Sequence, residues 1–164
     1  MSEGQTCDRP QNARVDFRTV YVASSWRNEQ QPAAVKLLRA AGHEVYDFRH
    51  PAPGYDGFSW SRIDPHWRAW SSKHYMHELY CNPLARRGYE VDYTAMQAAD
   101  TCVLMLPCGR SAHLEAGWFA GAGRELWIVL GPEPAEAELM YRMATGIVSS
   151  IEELLSVWPI LANR

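Results

Sequence analysis

The run TCVLMLP, from Thr101 to Pro107, constrains the fold more than any other stretch of the chain. Its apolar residues do not alternate with polar ones, so a strand here is buried on both faces. Strands of that kind belong to parallel sheets covered by helices on each side. The flanking segments fit such a sheet. RTVYVAS reads as a first strand ending near Ser24, HEVYDF as a second, ELWIVL as a fourth and TGIVSS as a short fifth. Between them lie helical patterns. QPAAVKLLRAAGH has Pro32 in its first turn and Gly42 just past its end. YEVDYTAMQAAD places Met96 and Ala99 on one inner face, and SAHLEAGWFAGAG follows the central strand. SIEELLSVWPIL closes the chain, with Ser150 and Glu153 at capping-box spacing. Strand–helix alternation predicts a small doubly wound α/β domain of the flavodoxin or Rossmann-like kind, with a five-stranded parallel sheet. That domain spans 17–164, after a polar stretch, 1–16, that reads as a disordered tail.

At 164 residues the chain is long enough for one domain with a full core. A net charge of −3 gives no electrostatic case for a nucleic acid polymer or an anionic membrane. No apolar run approaches the roughly 20 residues of a membrane span, and the opening MSEGQTCDRPQNAR lacks a signal peptide's apolar stretch. Cys7, Cys81, Cys102 and Cys108 form neither a CxxC pair nor a disulfide-style framework. These features together predict a reduced, cytoplasmic protein.

Folds of this kind bind ligands beyond the carboxyl ends of their strands, where the strand order reverses. That rule singles out SSWRN, after the first strand, and PCGRSAH, after the third. Just past the second loop stands Glu115, in a helix with almost no polar face. It has a structural and a functional reading. If Ser111 caps the helix, a capping-box glutamate belongs at position 114, which is leucine, so Glu115 is one residue too late for that role. As a functional group, a carboxylate near a helix N-terminus feels the positive end of the dipole and stays ionised when partly buried. In a crevice it is a nucleophile for an electrophilic carbon such as the anomeric carbon of a nucleoside. Chemistry of that type also needs a proton donor for the leaving group. Asp92, on the preceding helix, supplies a second carboxylate.

The order and spacing of YVASSW, of DYTAMQAAD before an apolar strand, and of a Gly- and Ser-containing loop leading to LEAGW resemble the nucleoside 2-deoxyribosyltransferase family, which includes the 2′-deoxynucleoside 5′-phosphate N-hydrolases. The similarity runs from about Thr19 to Leu155. The resemblance implies that Glu115 is a nucleophile forming a covalent glycosyl-enzyme intermediate. It implies that Asp92 protonates the departing base and that Tyr21 orients the nucleophile. Ser24, Ser25 and Trp26 fall in the first ligand loop, and Gly109, Arg110 and Ser111 in the second. The segment AELMYRM resembles the family's stretch that reaches a neighbouring subunit's site, which would place Glu138 and Met140 against the sugar in trans. A small-molecule nucleoside or nucleotide, a homo-oligomer of two or more chains, and no cofactor or metal are therefore expected.

The chain also departs from that pattern. The phosphate-cleaving relatives have a serine six residues before the nucleophile, where this chain has Gly109. Ser111 either helps hold a phosphate, together with the GRS turn and Arg110 or Arg27, or only caps the helix. Glu138 replaces an asparagine of the transferases; a carboxylate suits a sugar hydroxyl and repels a phosphate. The two features disagree about the 5′ group. The segment His50–Arg87 is long and aromatic. Phe58, Trp60, Trp67 and Trp70 either stack on a base or form a satellite core. His66, His74 and His77 invite a metal, but no convergent third ligand type accompanies them. His113 is structural or a subunit contact. Two other functions remain in play: a TIR-like NAD glycohydrolase, which places a glutamate at a similar strand–loop–helix site, and non-catalytic binding of a nucleotide-derived ligand.

Overall fold

The computed structural model describes residues 17–131 and 137–161. The stretch expected to be a disordered tail, with Cys7, lies outside the described residues. Five strands form one parallel sheet: β1 (Thr19–Ala23), β2 (Glu44–Tyr46), β3 (Thr101–Met105), β4 (Glu125–Val129) and β5 (Gly146–Val148). Their order is β2-β1-β3-β4-β5, so the chain reverses direction across the sheet between β1 and β3. All of β3 is buried, as its unbroken apolar run requires.

The period-two geometry of the strands divides the core into two layers. Val20, Val22, Val103, Met105, Trp127 and Val129 point to one face, where α1 (Gln31–Ala40) and α5 (Ile151–Leu161) cover them with Val35, Leu38, Leu154 and Trp158. Tyr21, Ala23, Cys102, Leu104, Leu126 and Ile128 point to the other, against α3 (Pro83–Ala98) and α4 (Arg110–Gly121). Met96, Ala99, Ala116 and Phe119 fill that second layer. Each large apolar side chain so buried contributes about 1.5–3 kcal/mol relative to exposure.

The capping chemistry departs from the sequence expectation at two helices. Ser150 Oγ accepts the Glu153 N–H at 3.2 Å, as a capping box requires. The Glu153 carboxylate, however, takes the N–H and hydroxyl of Ser149, at 2.7 and 2.6 Å, one residue upstream of the cap. The cap of α4 is Gly109, not Ser111, which lies inside the first turn and has its hydroxyl free for other work.

The aperiodic stretch from His50 to Arg87 holds more regular structure than its pattern implies. It contains two short 3-10 turns, Trp60–Arg62 and Trp67–Ala69, a full helix α2 (Ser72–Cys81), and the first turn of α3. No residue of α2 is buried, so the apolar stripe that signals a helix is absent. Its signals are its ends. Ser71 accepts the His74 N–H, and Asn82 closes α2 and caps α3 by accepting the Leu84 N–H at 2.9 Å, with Pro83 at the first helical position. Among the described residues no helix is long and apolar enough to cross a membrane. Cys81, Cys102 and Cys108 are free thiols.

Candidate active site

A cavity of about 460 Å³ opens at the carboxyl edge of the sheet, on the α3/α4 face. Each helix presents one stripe to it. Ala85, Gly88, Tyr89, Asp92, Tyr93 and Met96 come from α3, and Ser111, Leu114, Glu115 and Trp118 from α4. Both sets follow the i, i+3, i+4, i+7 spacing of a single helix face. Phe58, Trp60 and Leu79 complete the wall from the segment before α3. The result is an aromatic chamber holding two carboxylates, Asp92 and Glu115.

The environment raises the proton affinity of both acids. Glu115 is pushed up to about 7, first by desolvation and then by the charge of Asp92; hydrogen bonds from Ser111 and Tyr21 oppose the shift. Ser111 Oγ donates to Glu115 Oε1 at 3.2 Å. Burial also raises Asp92, against a hydrogen bond from Tyr46, whose hydroxyl donates to Asp92 Oδ1 at 2.6 Å. The negative charge of Asp92 in the same poorly solvated chamber thus makes Glu115 harder to ionise.

Behind the carboxylates lies a pair of tyrosines. The parallel register sets Tyr21 of β1 beside Tyr46 of β2. Their rings stack, with centroids 5.2 Å apart and planes 12° from parallel. Tyr21 is buried, and Phe119 packs on its other side. Neither tyrosine lines the cavity; each reaches it through the carboxylate it contacts.

Ser24, Ser25, Trp26, Gly109, Arg110, His113, Glu138 and Met140, also singled out from the sequence, fall outside the chamber. Ser24 Oγ donates to the Met105 carbonyl at 3.0 Å and accepts from Asn28 Nδ2 at 3.1 Å. Asn28 also reaches the carbonyls of Leu106 and Pro107, so this group ties the loop after β1 to the loop after β3. Ser25 Oγ accepts the Arg27 N–H. Trp26 packs edge-on against Phe48, with the Arg49 guanidinium over its ring. Gly109 caps α4 and Arg110 begins it, but their positions are off the stripe that faces the cavity. Glu138 and Met140 are exposed, at the start of the 3-10 turn Leu139–Met143. His113 holds that turn: its Nε2 is 3.0 Å from the Tyr141 hydroxyl, and the rings stack.

The aromatic segment divides. Phe58 and Trp60 line the cavity. Trp70 backs Trp60 edge-on, stacks on His74, and donates its indole N–H to Asp64 at 2.6 Å. Trp67 carries Arg68 over its ring. Among the described residues no cluster of three or more His, Cys, Asp or Glu side chains could hold a metal ion.

Gly88 controls where Phe58 stands. A Cβ built there would lie 2.7 Å from the Phe58 Cβ, an atom bonded to backbone and unable to swing away. Gly88→Ala is expected to lower stability by about 1–3 kcal/mol through overpacking. Gly117→Ala on α4 is the control, because nothing lies within 4 Å of its Cβ position. That change should be neutral or stabilise by up to about 1 kcal/mol, as for an open helix site. Denaturant midpoints of the two variants check the contrast.

Tyr46 and Asn28 were missed by sequence reasoning. Tyr46 ends an apolar strand and looks like core there, while Asn28 looks like an ordinary loop residue.

No family model and no curated protein matches the chain in sequence. Among solved structures, a 2-deoxyribosyltransferase from the psychrotolerant bacterium Bacillus psychrosaccharolyticus aligns with a TM-score of 0.56 at 18% identity, covering 83% of this chain and 89% of that one. A CMP N-glycosidase from Clostridium botulinum aligns with a TM-score of 0.45 at 16% identity, covering 84% of this chain and 95% of that one. The first alignment establishes a shared fold.

Proposed function

We propose that this chain, which has the fold of a 2-deoxyribosyltransferase, cleaves or transfers at the N-glycosidic bond of a nucleoside or nucleotide. The observation that carries the reading is the placement of Asp92 and Glu115 in one aromatic chamber at the switch point of the sheet.

The ionised carboxylate of Glu115 attacks the anomeric carbon. A C–O bond to the enzyme forms as the bond from that carbon to the base nitrogen breaks. The electron pair leaves with the nitrogen, which takes the Asp92 proton. Water or a second base then attacks the glycosyl-glutamate from the opposite face, frees Glu115, and returns a proton to Asp92. Two displacements retain the configuration. Ser111 and Tyr21 aim the nucleophile by hydrogen-bonding its carboxylate. Phe58, Trp60, Tyr89, Tyr93 and Trp118 offer flat surfaces for a base and exclude water.

Among the described residues, the cavity lining holds no lysine or arginine. A 5′-phosphate would meet two carboxylates and no cation there, which favours a free 5′-hydroxyl. Assays of base release from nucleosides, nucleoside 5′-monophosphates and NAD, read by chromatography, test the reading. The nucleosides should turn over fastest. Release from NAD alone would support the glycohydrolase alternative, and tight binding without release a binding-only domain.

The reading includes self-association. Leu114 on α4 is 77% exposed, and Leu139 and Met140, beyond His113 and Tyr141, are 83% and 60% exposed. Covering such a group of apolar side chains favours a second copy. Glu138 and Met140 do not line their own cavity, so they would reach a sugar only from a neighbouring chain. Sedimentation at micromolar protein should give a dimer or larger species. A monomer with full activity would remove the role in trans.

A further inference from the structure

Tyr46 has no part in the chemistry described above, yet its hydroxyl is 2.6 Å from Asp92 Oδ1. It does not line the cavity, so it cannot touch a ligand there. Its place follows from the sheet. Register pairs Tyr46 with Tyr21, and the stack of the two rings fixes both. From that stack the two hydroxyls reach different acids. Tyr21 serves Glu115, and Tyr46 serves Asp92.

We propose that Tyr46 is the positioning residue of the proton donor, engaging Oδ1 of Asp92 so that Oδ2 is the oxygen that carries the proton to the departing base. The proposal rests on the assignment of Asp92 as the acid. A carboxylic acid held through one oxygen cannot rotate to present the wrong one, and alignment of this kind is a large part of what a site contributes to rate. Burial and neighbouring carboxylates hold the Tyr46 proton on its oxygen, so it remains a donor throughout the neutral range. A donor to the charged form of Asp92 also limits how far burial raises that acid.

Other groups share the neighbourhood. Tyr21 comes from β1, Glu115 and Ser111 from α4, Tyr93 from α3 itself, and Tyr55 lies near Tyr46. Of these, only Tyr46 has a hydrogen bond to Asp92 among the described contacts.

Tyr46→Phe keeps the ring stack and removes the donor, and a thermal melt checks that the fold persists. Three results are expected. In carbon-detected NMR titration the Asp92 carboxyl should titrate roughly one pH unit higher than in the wild type, the size of a lost charge-assisted hydrogen bond. Turnover of natural nucleosides should fall by about tenfold with KM nearly unchanged, whereas a nitrophenyl deoxyriboside should lose little. In an Asp92→Asn background the same change should add almost nothing, because the two residues act as one unit. An unmoved Asp92 titration overturns the proposal. So does an equal loss on both leaving groups, which marks a merely structural tyrosine. The NMR titration needs no turnover, so a wild type that releases no base would refute the glycosidic reading while leaving the Tyr46–Asp92 coupling measurable.

Discussion

Glu115→Ala is expected to reduce base release by at least about a thousandfold, the scale set by removing a covalent nucleophile elsewhere. The side chain is partly exposed in the chamber, so its loss removes little packing. Mass spectrometry with a slow fluorinated sugar analogue should add one sugar to Glu115 in the wild type; a label on another residue would reassign the nucleophile. The pH dependence follows from the same carboxylate. On the proposed mechanism attack needs the ionised form, and burial with Asp92 alongside moves the Glu115 titration up to about 7. The rate should therefore climb between about pH 6 and 8.

Stability should move the other way. A glutamate raised from 4.5 to about 7 on folding binds protons more tightly in the native state. Its contribution is least unfavourable below about pH 4.5, and stability is lost as pH rises through the window up to 7. The full penalty, on the order of 3 kcal/mol, is present above that window. Glu115→Gln removes it. That variant should melt roughly 5–10 °C above the wild type at pH 8, and the gain should vanish near pH 4. A variant that is inactive yet more stable would mark Glu115 as a group kept for chemistry. Equal melting at both pH values would contradict the raised titration.

Asp92→Asn tests the acid. The base nitrogen must gain a proton as the glycosidic bond breaks, and a positioned acid matters most when the base leaves poorly. Asparagine keeps the shape and can still meet Tyr46, but it has no proton to release. Natural substrates should slow by about a hundredfold or more, within the range of general acid catalysis. An activated nitrophenyl group, which needs no proton, should lose much less. Equal losses on both substrate classes would show that Asp92 orients the ligand or braces α3 instead.

Much of this protein is written locally. The unbroken apolar run of β3 demands cover on both faces, and the structure supplies it with one helix pair on each side. The parallel sheet follows from strand–helix alternation, and the edge that carries the cavity from the switch point. The helical spacing around Asp92 and Glu115 brings both carboxylates to one cavity. All of these are periodicities within a single element, which burial imposes on the residues of that element.

Tertiary structure decided what depends on two distant elements at once. Strand register joins Tyr46 to Tyr21, and the packing of α3 against the sheet joins Tyr46 to Asp92 across 46 positions. Ser24 turns out to serve the Met105 carbonyl, 81 positions away, because β1 and β3 are neighbours. Phe58 and Trp60 become cavity wall, while Trp67 and Trp70 do not, because Gly88 lets the loop close on α3. Ser111 is released from capping because α4 begins one residue before it. A hydrogen bond or a ring contact leaves no periodic trace in either partner's own segment, so only the assembled sheet and its covering helices reveal it.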